Sequence, residues 1–136
     1  CRVGYGVAQK EVIDALGLTK LVYNMNILSQ NAALAAMDYA DDILAHNIPP
    51  TLAARQHFMD ALKDVPNLTV YPSATNFVLV RVPDGPAMVK ALHDADICVR
   101  SYKAADLKNC LRITITTDDV VRRVVAVMTE EAKKYA

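Results

Sequence analysis

Between Asn109 and Thr116 the chain reads NCLRITIT, with Leu111, Ile113 and Ile115 alternating with Arg112, Thr114 and Thr116. A period of two belongs to a β-strand, whose successive side chains point to opposite faces. The stretch therefore predicts a half-buried strand with its three aliphatic residues on a core. Arg112 then projects from the opposite face near the strand's start. A guanidinium is a planar fork that meets a carboxylate or phosphate with two parallel hydrogen bonds, so a rigid strand carrying one is a candidate anion-recognition element. An arginine on the polar face of a strand is more often a solvated charge, and the alternation by itself gives Arg112 no task.

Such a strand needs neighbours and a cover, and the second half of the chain supplies both. Leu68 to Tyr71 and Asn76 to Val82 read as strands separated by a turn at Pro72 to Thr75. Pro86 suits the start of a helix through Met88, Val89 and Leu92. Ile97 to Arg100 reads as a short strand and Ser101 to Lys108 as a polar loop. Thr117, Asp118 and Asp119 open a last helix, where carboxylates complement the helix N-terminus, and Val121, Val124, Val125 and Met128 form its inner face.

The first half is more helical. Val3 to Ala8, with Gly4 and Gly6, predicts a strand or a tight turn, and Lys10 to Leu16 a short helix stopped at Gly17. Ser29 is the expected cap of a helix running to about His46, Ala-rich at first and acidic at Asp38, Asp41 and Asp42. A helix apolar on nearly all sides is buried on all sides, so the Ala32 to Met37 half is expected to pack against more than this chain supplies. Ile48-Pro49-Pro50 is expected to break it, with Thr51 capping the next helix, whose stripe is Leu52, Phe58, Met59 and Leu62, up to Pro66-Asn67. The whole predicts an α/β fold of the α+β kind, a small, mostly antiparallel sheet covered by helices.

Composition narrows the chemistry. The 136 residues are 53% hydrophobic and 22% charged, the range of a globular protein that can bury a real core. Fifteen basic residues balance fifteen acidic ones with no basic stripe, which argues against nucleic acid or an anionic membrane as partner. Three cysteines, Cys1, Cys98 and Cys110, are too scattered for a disulfide scaffold or a metal framework, and a reduced, cytoplasmic protein is the natural expectation. His46, His57 and His93 have no Cys, Asp or Glu at ligand spacing, so no metal site is expected. No serine sits in a GxSxG elbow, and Gly4 and Gly6 fit no phosphate-loop fingerprint. Without an initiator Met, the chain is expected to begin inside a longer protein. What remains are three arginines at element edges, Arg2, Arg100 and Arg112.

Five segments, taken together and in order, resemble the C-terminal half of histidinol-phosphate aminotransferases: Arg2-Val3-Gly4-Tyr5; Tyr23-Asn24-Met25-Asn26 with Ser29-Gln30; Tyr71-Pro72-Ser73-Ala74-Thr75-Asn76-Phe77; Val99-Arg100; and Cys110-Leu111-Arg112-Ile113-Thr114-Ile115. These enzymes are class I/II aminotransferases of fold type I that use pyridoxal 5′-phosphate (PLP). The resemblance implies that Arg2 binds the PLP phosphate, that Arg112 clamps the substrate carboxylate, that Arg100 helps hold the substrate's far phosphate, and that Asn76 shapes the substrate pocket. It also implies a domain layout, with 1–26 a remnant of the large PLP-binding domain, 27–47 an interdomain helix and 48–136 the C-terminal small domain. A small amino-acid or phosphate substrate, a role in histidine biosynthesis and a homodimer follow from the same likeness. A related amino acid aminotransferase or a threonine-phosphate decarboxylase is the neighbouring alternative. In the family the Schiff-base lysine lies upstream of the Arg2 motif, whereas Lys10 and Lys20 follow it. No catalytic residue is therefore expected in this chain, and the fragment is expected to be inactive alone, at most a stable and silent α+β domain.

Overall fold

The antiparallel ladder between Phe77–Arg81 (β2) and Cys110–Thr114 (β4) organises the computed structural model, which describes residues 2–135. Cys1, one of the three cysteines, lies outside the described residues. Two compact units are present, Cys1–Ala45 and His46–Ala136.

In the second unit the sheet order is β1-β2-β4-β3, with β1 at Thr69–Val70, β3 at Arg100–Ser101 and every pair antiparallel. The register sets Val78 opposite Ile113 and Val80 opposite Leu111. These four side chains are buried, whereas Arg81, Arg112 and Thr114 on the alternate positions are exposed. Helices cover the buried face. Phe58 and Leu62 come from α3 (Ala40–Leu62), Met88 and Leu92 from α4 (Gly85–Asp94), and Val121, Val124 and Met128 from α5 (Asp118–Lys133). Apolar residues at i, i+3 and i+7 of α5 give the stripe that seats it.

Several boundaries differ from the sequence reading. The strand expected at Ile97 to Arg100 begins only at Arg100, because Ile97 N–H is still donated to the Leu92 carbonyl (2.9 Å) and Asp96 takes a left-handed turn at φ 60° to end α4. The polar loop after it contains one 3-10 turn, Ala105–Leu107. Pro49 and Pro50 do not break a helix; both lie inside α3. Proline's φ is compatible with a helix, and its cost there is a missing donor and crowding of the preceding turn. Thr51 does not cap a new helix either, since its hydroxyl donates back to the Asn47 carbonyl at 2.9 Å.

In the first unit α1 spans Lys10–Gly17 and α2 spans Ile27–Asp38. The cap of α2 is Asn26, not Ser29: the Asn26 side-chain oxygen accepts the Ser29 N–H at 2.8 Å. The helix ends at Tyr39, ten residues before the prolines, and Tyr39 accepts the Ile43 N–H that starts α3. Val3 to Ala8 forms no strand, because no extended segment of the unit offers it a ladder. No residue of α2 is buried, and Leu34 and Met37 stand 59% and 63% exposed.

A close backbone approach fixes α4 against the start of β4. Asp84 caps the helix by accepting the Ala87 N–H, and Asn109 bridges both sides, accepting from Gly85 N–H and donating to the Pro83 carbonyl. A Cβ at Gly85 would collide with the Lys108 carbonyl and reach the Asn109 Cα at 3.2 Å, both backbone atoms that cannot yield. Alanine's helix preference over glycine, about 0.5–1 kcal/mol in a helix interior, is an upper bound at Gly85, the first residue of α4, and overpacking costs about 1–3 kcal/mol. Gly85→Ala should therefore lower the unfolding free energy, and a denaturant midpoint equal to wild type would refute this account.

A second tie joins elements far apart in sequence. His57 on α3 donates from Nδ1 to Asp118 Oδ1 at 2.5 Å, and Arg122 donates to the other carboxylate oxygen at 2.8 Å. The bond from His57, and after it that from Arg122, holds the Asp118 carboxyl below the usual carboxylate range. A carboxyl depressed in the folded state adds stability above its ordinary pKa and loses it as pH falls through the folded value. Asp118→Asn should thus lower Tm near neutral pH, with the difference from wild type shrinking as the pH falls below the ordinary carboxyl pKa of about 4 and through the lower folded value. A difference that persists in acid would show that the residue acts by packing instead.

Candidate functional site

The outer face of the sheet carries a pair of arginines. Arg100 and Arg112 are direct partners across β3 and β4, so their side chains leave the same face side by side. Among the described residues neither guanidinium has a hydrogen bond or an ion pair. Like charges directly opposite on a sheet destabilise it, and sheet stability offers no reason for this pair. Two unpartnered forks on a rigid surface are suited to anionic groups.

Arg81, on the same face, serves a different purpose. Its Nε donates to the Tyr71 hydroxyl at 3.1 Å and its terminal nitrogen to the Asp106 carbonyl at 3.3 Å, and the Tyr71 bond above all raises its pKa. It fastens the 102–108 loop to the sheet above the fully buried Cys110. Arg100 and Arg112 instead lie against aromatic rings. The Arg112 guanidinium carbon is 5.1 Å from the Phe77 ring centroid and that of Arg100 is 6.0 Å from the Tyr102 ring.

Asn76 lies one residue before β2, exposed, with its carbonyl accepting the Ile115 N–H at 2.8 Å. The loop before it is built from hydroxyls: Ser73 Oγ accepts the Thr75 N–H and Thr75 Oγ1 accepts the Phe77 N–H, while Arg55 from α3 donates to the Thr75 carbonyl at 2.8 Å. The structure thus brings Arg100 and Arg112 together and places Asn76 at one end of the neighbouring strand. Arg2 belongs to the first unit, exposed, with a left-handed φ of 59° that a non-glycine residue seldom adopts. With Tyr5, Met25 and Gln30 it lines a cavity of about 710 Å³. Lys10 is committed to Asp14 at 2.5 Å.

Sequence reasoning missed Phe77, Tyr102 and Arg81. Tyr102 follows Arg100 by two and could have been placed on its face by the strand period. Phe77 reaches Arg112 only diagonally, through the register that sets Leu79 opposite Arg112 and Phe77 opposite Thr114, and a single sequence does not contain that register.

Among the described residues no three His, Cys, Asp or Glu side chains gather as a metal site, and no helix is long and apolar enough to cross a membrane.

Comparison with known proteins adds a family. The aminotransferase class I and II model matches residues 1–128. The histidinol-phosphate aminotransferase of Thermoanaerobacter sp. (strain X514) is 38% identical over 117 residues, which are 85% of this chain and 33% of that protein. The crystal structure of histidinol-phosphate aminotransferase from Sinorhizobium meliloti in complex with pyridoxal-5′-phosphate is 30% identical and superposes with a TM-score of 0.60 over 77% of this chain and 29% of that one. A structure from Erwinia carotovora atroseptica, assigned as a histidinol-phosphate aminotransferase, is 27% identical with a TM-score of 0.75 over 95% of this chain and 37% of that one. The chain spans about a third of the length of the curated relatives it matches.

Proposed function

The chain belongs to the aminotransferase class I and II family, and from that premise we propose that it is the C-terminal part of a PLP-dependent aminotransferase whose Arg112 and Arg100 clamp the anionic ends of an amino-acid or histidinol-phosphate-like donor. The observation that carries the reading is the cross-strand Arg100–Arg112 pair, which has no carboxylate to neutralise it among the described residues. In this reading 1–26 belongs to the large domain, 27–47 joins the domains and 48–136 is the small domain. The exposed apolar side chains of α2 favour a covered, homodimeric assembly. The free thiols of Cys98 and Cys110 favour the cytoplasm.

The residues divide the work by charge and rigidity. PLP, when bound, supplies the electron sink for moving an amino group. Arg2 fits its phosphate end, since its guanidinium is exposed and has no partner among the described residues. Arg112 orients the substrate carboxylate from a strand whose other face is locked in the core, so that the reacting carbon is held in one place. Arg100 takes the second anion, such as the far phosphate or the carboxylate of a 2-oxo acid, and Asn76, one residue before β2, is given its part in shaping the substrate site by the family resemblance alone.

Neither Lys10 nor Lys20 stands where the family's Schiff-base lysine does, so the isolated chain should be inactive. PLP added to it should leave no stoichiometric absorbing adduct after dialysis, and one that survives would overturn that part of the reading. In the complete enzyme, Arg112→Lys keeps the charge and loses the fork. It should lower kcat/KM for glutamate about ten- to a hundredfold, what the loss of a charge-assisted hydrogen bond of roughly 1.5–3 kcal/mol costs, with the PLP dissociation constant unchanged. An unchanged kcat/KM, or an equal loss of cofactor, would reject the assignment of Arg112.

A further inference from the structure

The rings beside the two arginines differ in what they can do. A guanidinium within about 6 Å of a ring centroid is attracted by the negative face of the ring, and the attraction weakens outward. Arg100 sits at that limit over Tyr102, whereas Arg112 lies well inside it over Phe77. The backbone that carries the Phe77 ring is also well anchored. The Ser73 hydroxyl donates to the Phe77 carbonyl at 2.5 Å and the Thr75 hydroxyl reaches the same carbonyl at 3.1 Å. Thr75 Oγ1 in turn accepts the Phe77 N–H at 3.3 Å, and Arg55 pins the Thr75 carbonyl. The backbone of Phe77 is therefore held from both ends, with β4 alongside.

Among the described residues Arg112 has no hydrogen bond or ion pair to restrain it further. Its neighbour across β3 is another arginine, which repels it, and its neighbour across β2 is Leu79, which offers no hydrogen bond. A long side chain with that surrounding would sample many rotamers and lose that freedom when an anion ordered it. A flat ring under the guanidinium removes part of that freedom in advance.

We propose that Phe77 is a positioning residue: its ring stacks on the Arg112 guanidinium, holds the fork turned toward the anion and offsets the repulsion from Arg100. The inference rests on the reading of Arg112 as the carboxylate clamp. The ring supplies orientation, and the contact with substrate is left to Arg112. Phe77 thereby acts on substrate affinity and not on the chemical step or on PLP.

The test is a double-mutant cycle in the complete PLP-loaded enzyme, with glutamate as donor. Phe77→Leu keeps apolar bulk and loses the ring face; it should raise KM about three- to tenfold with kcat little changed and the PLP dissociation constant unchanged. Phe77→Tyr keeps the ring and should stay within about twofold of wild type. Combined with Arg112→Lys, Phe77→Leu should add nothing, because there is no fork left to hold. Should Phe77→Leu fail to fold, Phe77→Met takes its place as an unbranched apolar substitute. Equal losses in the presence and absence of the Arg112 fork, a loss in kcat or PLP affinity instead of KM, or no loss at all would overturn the positioning role while leaving the clamp intact. An Arg112→Lys enzyme with wild-type kcat/KM would reject the clamp itself, and this inference with it.

Discussion

Everything in the second unit hangs on the pairing of β2 with β4. Five consecutive residue pairs, from Phe77 opposite Thr114 to Arg81 opposite Cys110, put Val78, Val80, Leu111 and Ile113 on one face. A slip of one residue would exchange the faces of a whole strand, exposing two aliphatic side chains and driving a guanidinium into the core. Burying a Val or Leu side chain is worth about 1.5–3 kcal/mol, while an unpaired charge there costs several. The apolar face therefore chooses the register, and the arginine face is its consequence. That is how a core constraint aligns Arg112 with Arg100 and with the ring of Phe77 without any attraction between the arginines.

The helices then fix the ends of the ladder. Asn109, one residue before β4, binds both the Gly85 N–H and the Pro83 carbonyl, so the start of α4 and the start of β4 are set together. Arg55 from α3 reaches the turn before β2, and His57, two residues on, reaches the first residue of α5. One turn of α3 thus serves both the loop that holds Phe77 and the helix that follows β4. On the outer face the 102–108 loop lies over Cys110, and the polar residues are satisfied locally, as Arg81 is by Tyr71 and Asp106, or, among the described residues, left with a ring, as Arg112 is.

The first unit follows different physics. No residue of α1 or α2 is buried, and Leu34 and Met37 of α2 stand in the open. An apolar helix face of this kind gains little from solvent and much from a cover. The low charge and high alanine content of Ala32 to Met37, evident in the sequence, already implied such a face; which surface covers it is not encoded in these residues.

The strands of the sheet and the helices on it were legible because they rest on periodicity. Alternation in Leu111, Ile113 and Ile115 and the spacing of Val121, Val124 and Met128 report burial directly, since each residue either avoids water or does not. Asn109 to Thr116 could therefore be recognised as a strand and Arg112 placed on its open face, and the arginines stood out as charges at element edges. The family too was legible, because five separate segments carry it. Helix ends were misread where local chemistry has more than one solution. Asn26 and Ser29 can both cap a helix, and a proline pair can break one or be absorbed in it, as in α3. Only tertiary structure decided the partners: that Arg100 faces Arg112, that Phe77 lies under Arg112 and that Gly85 presses on the Lys108 carbonyl. Each joins residues twelve or more apart, and their meeting is set by register and packing, which belong to the whole chain and to no single segment of it.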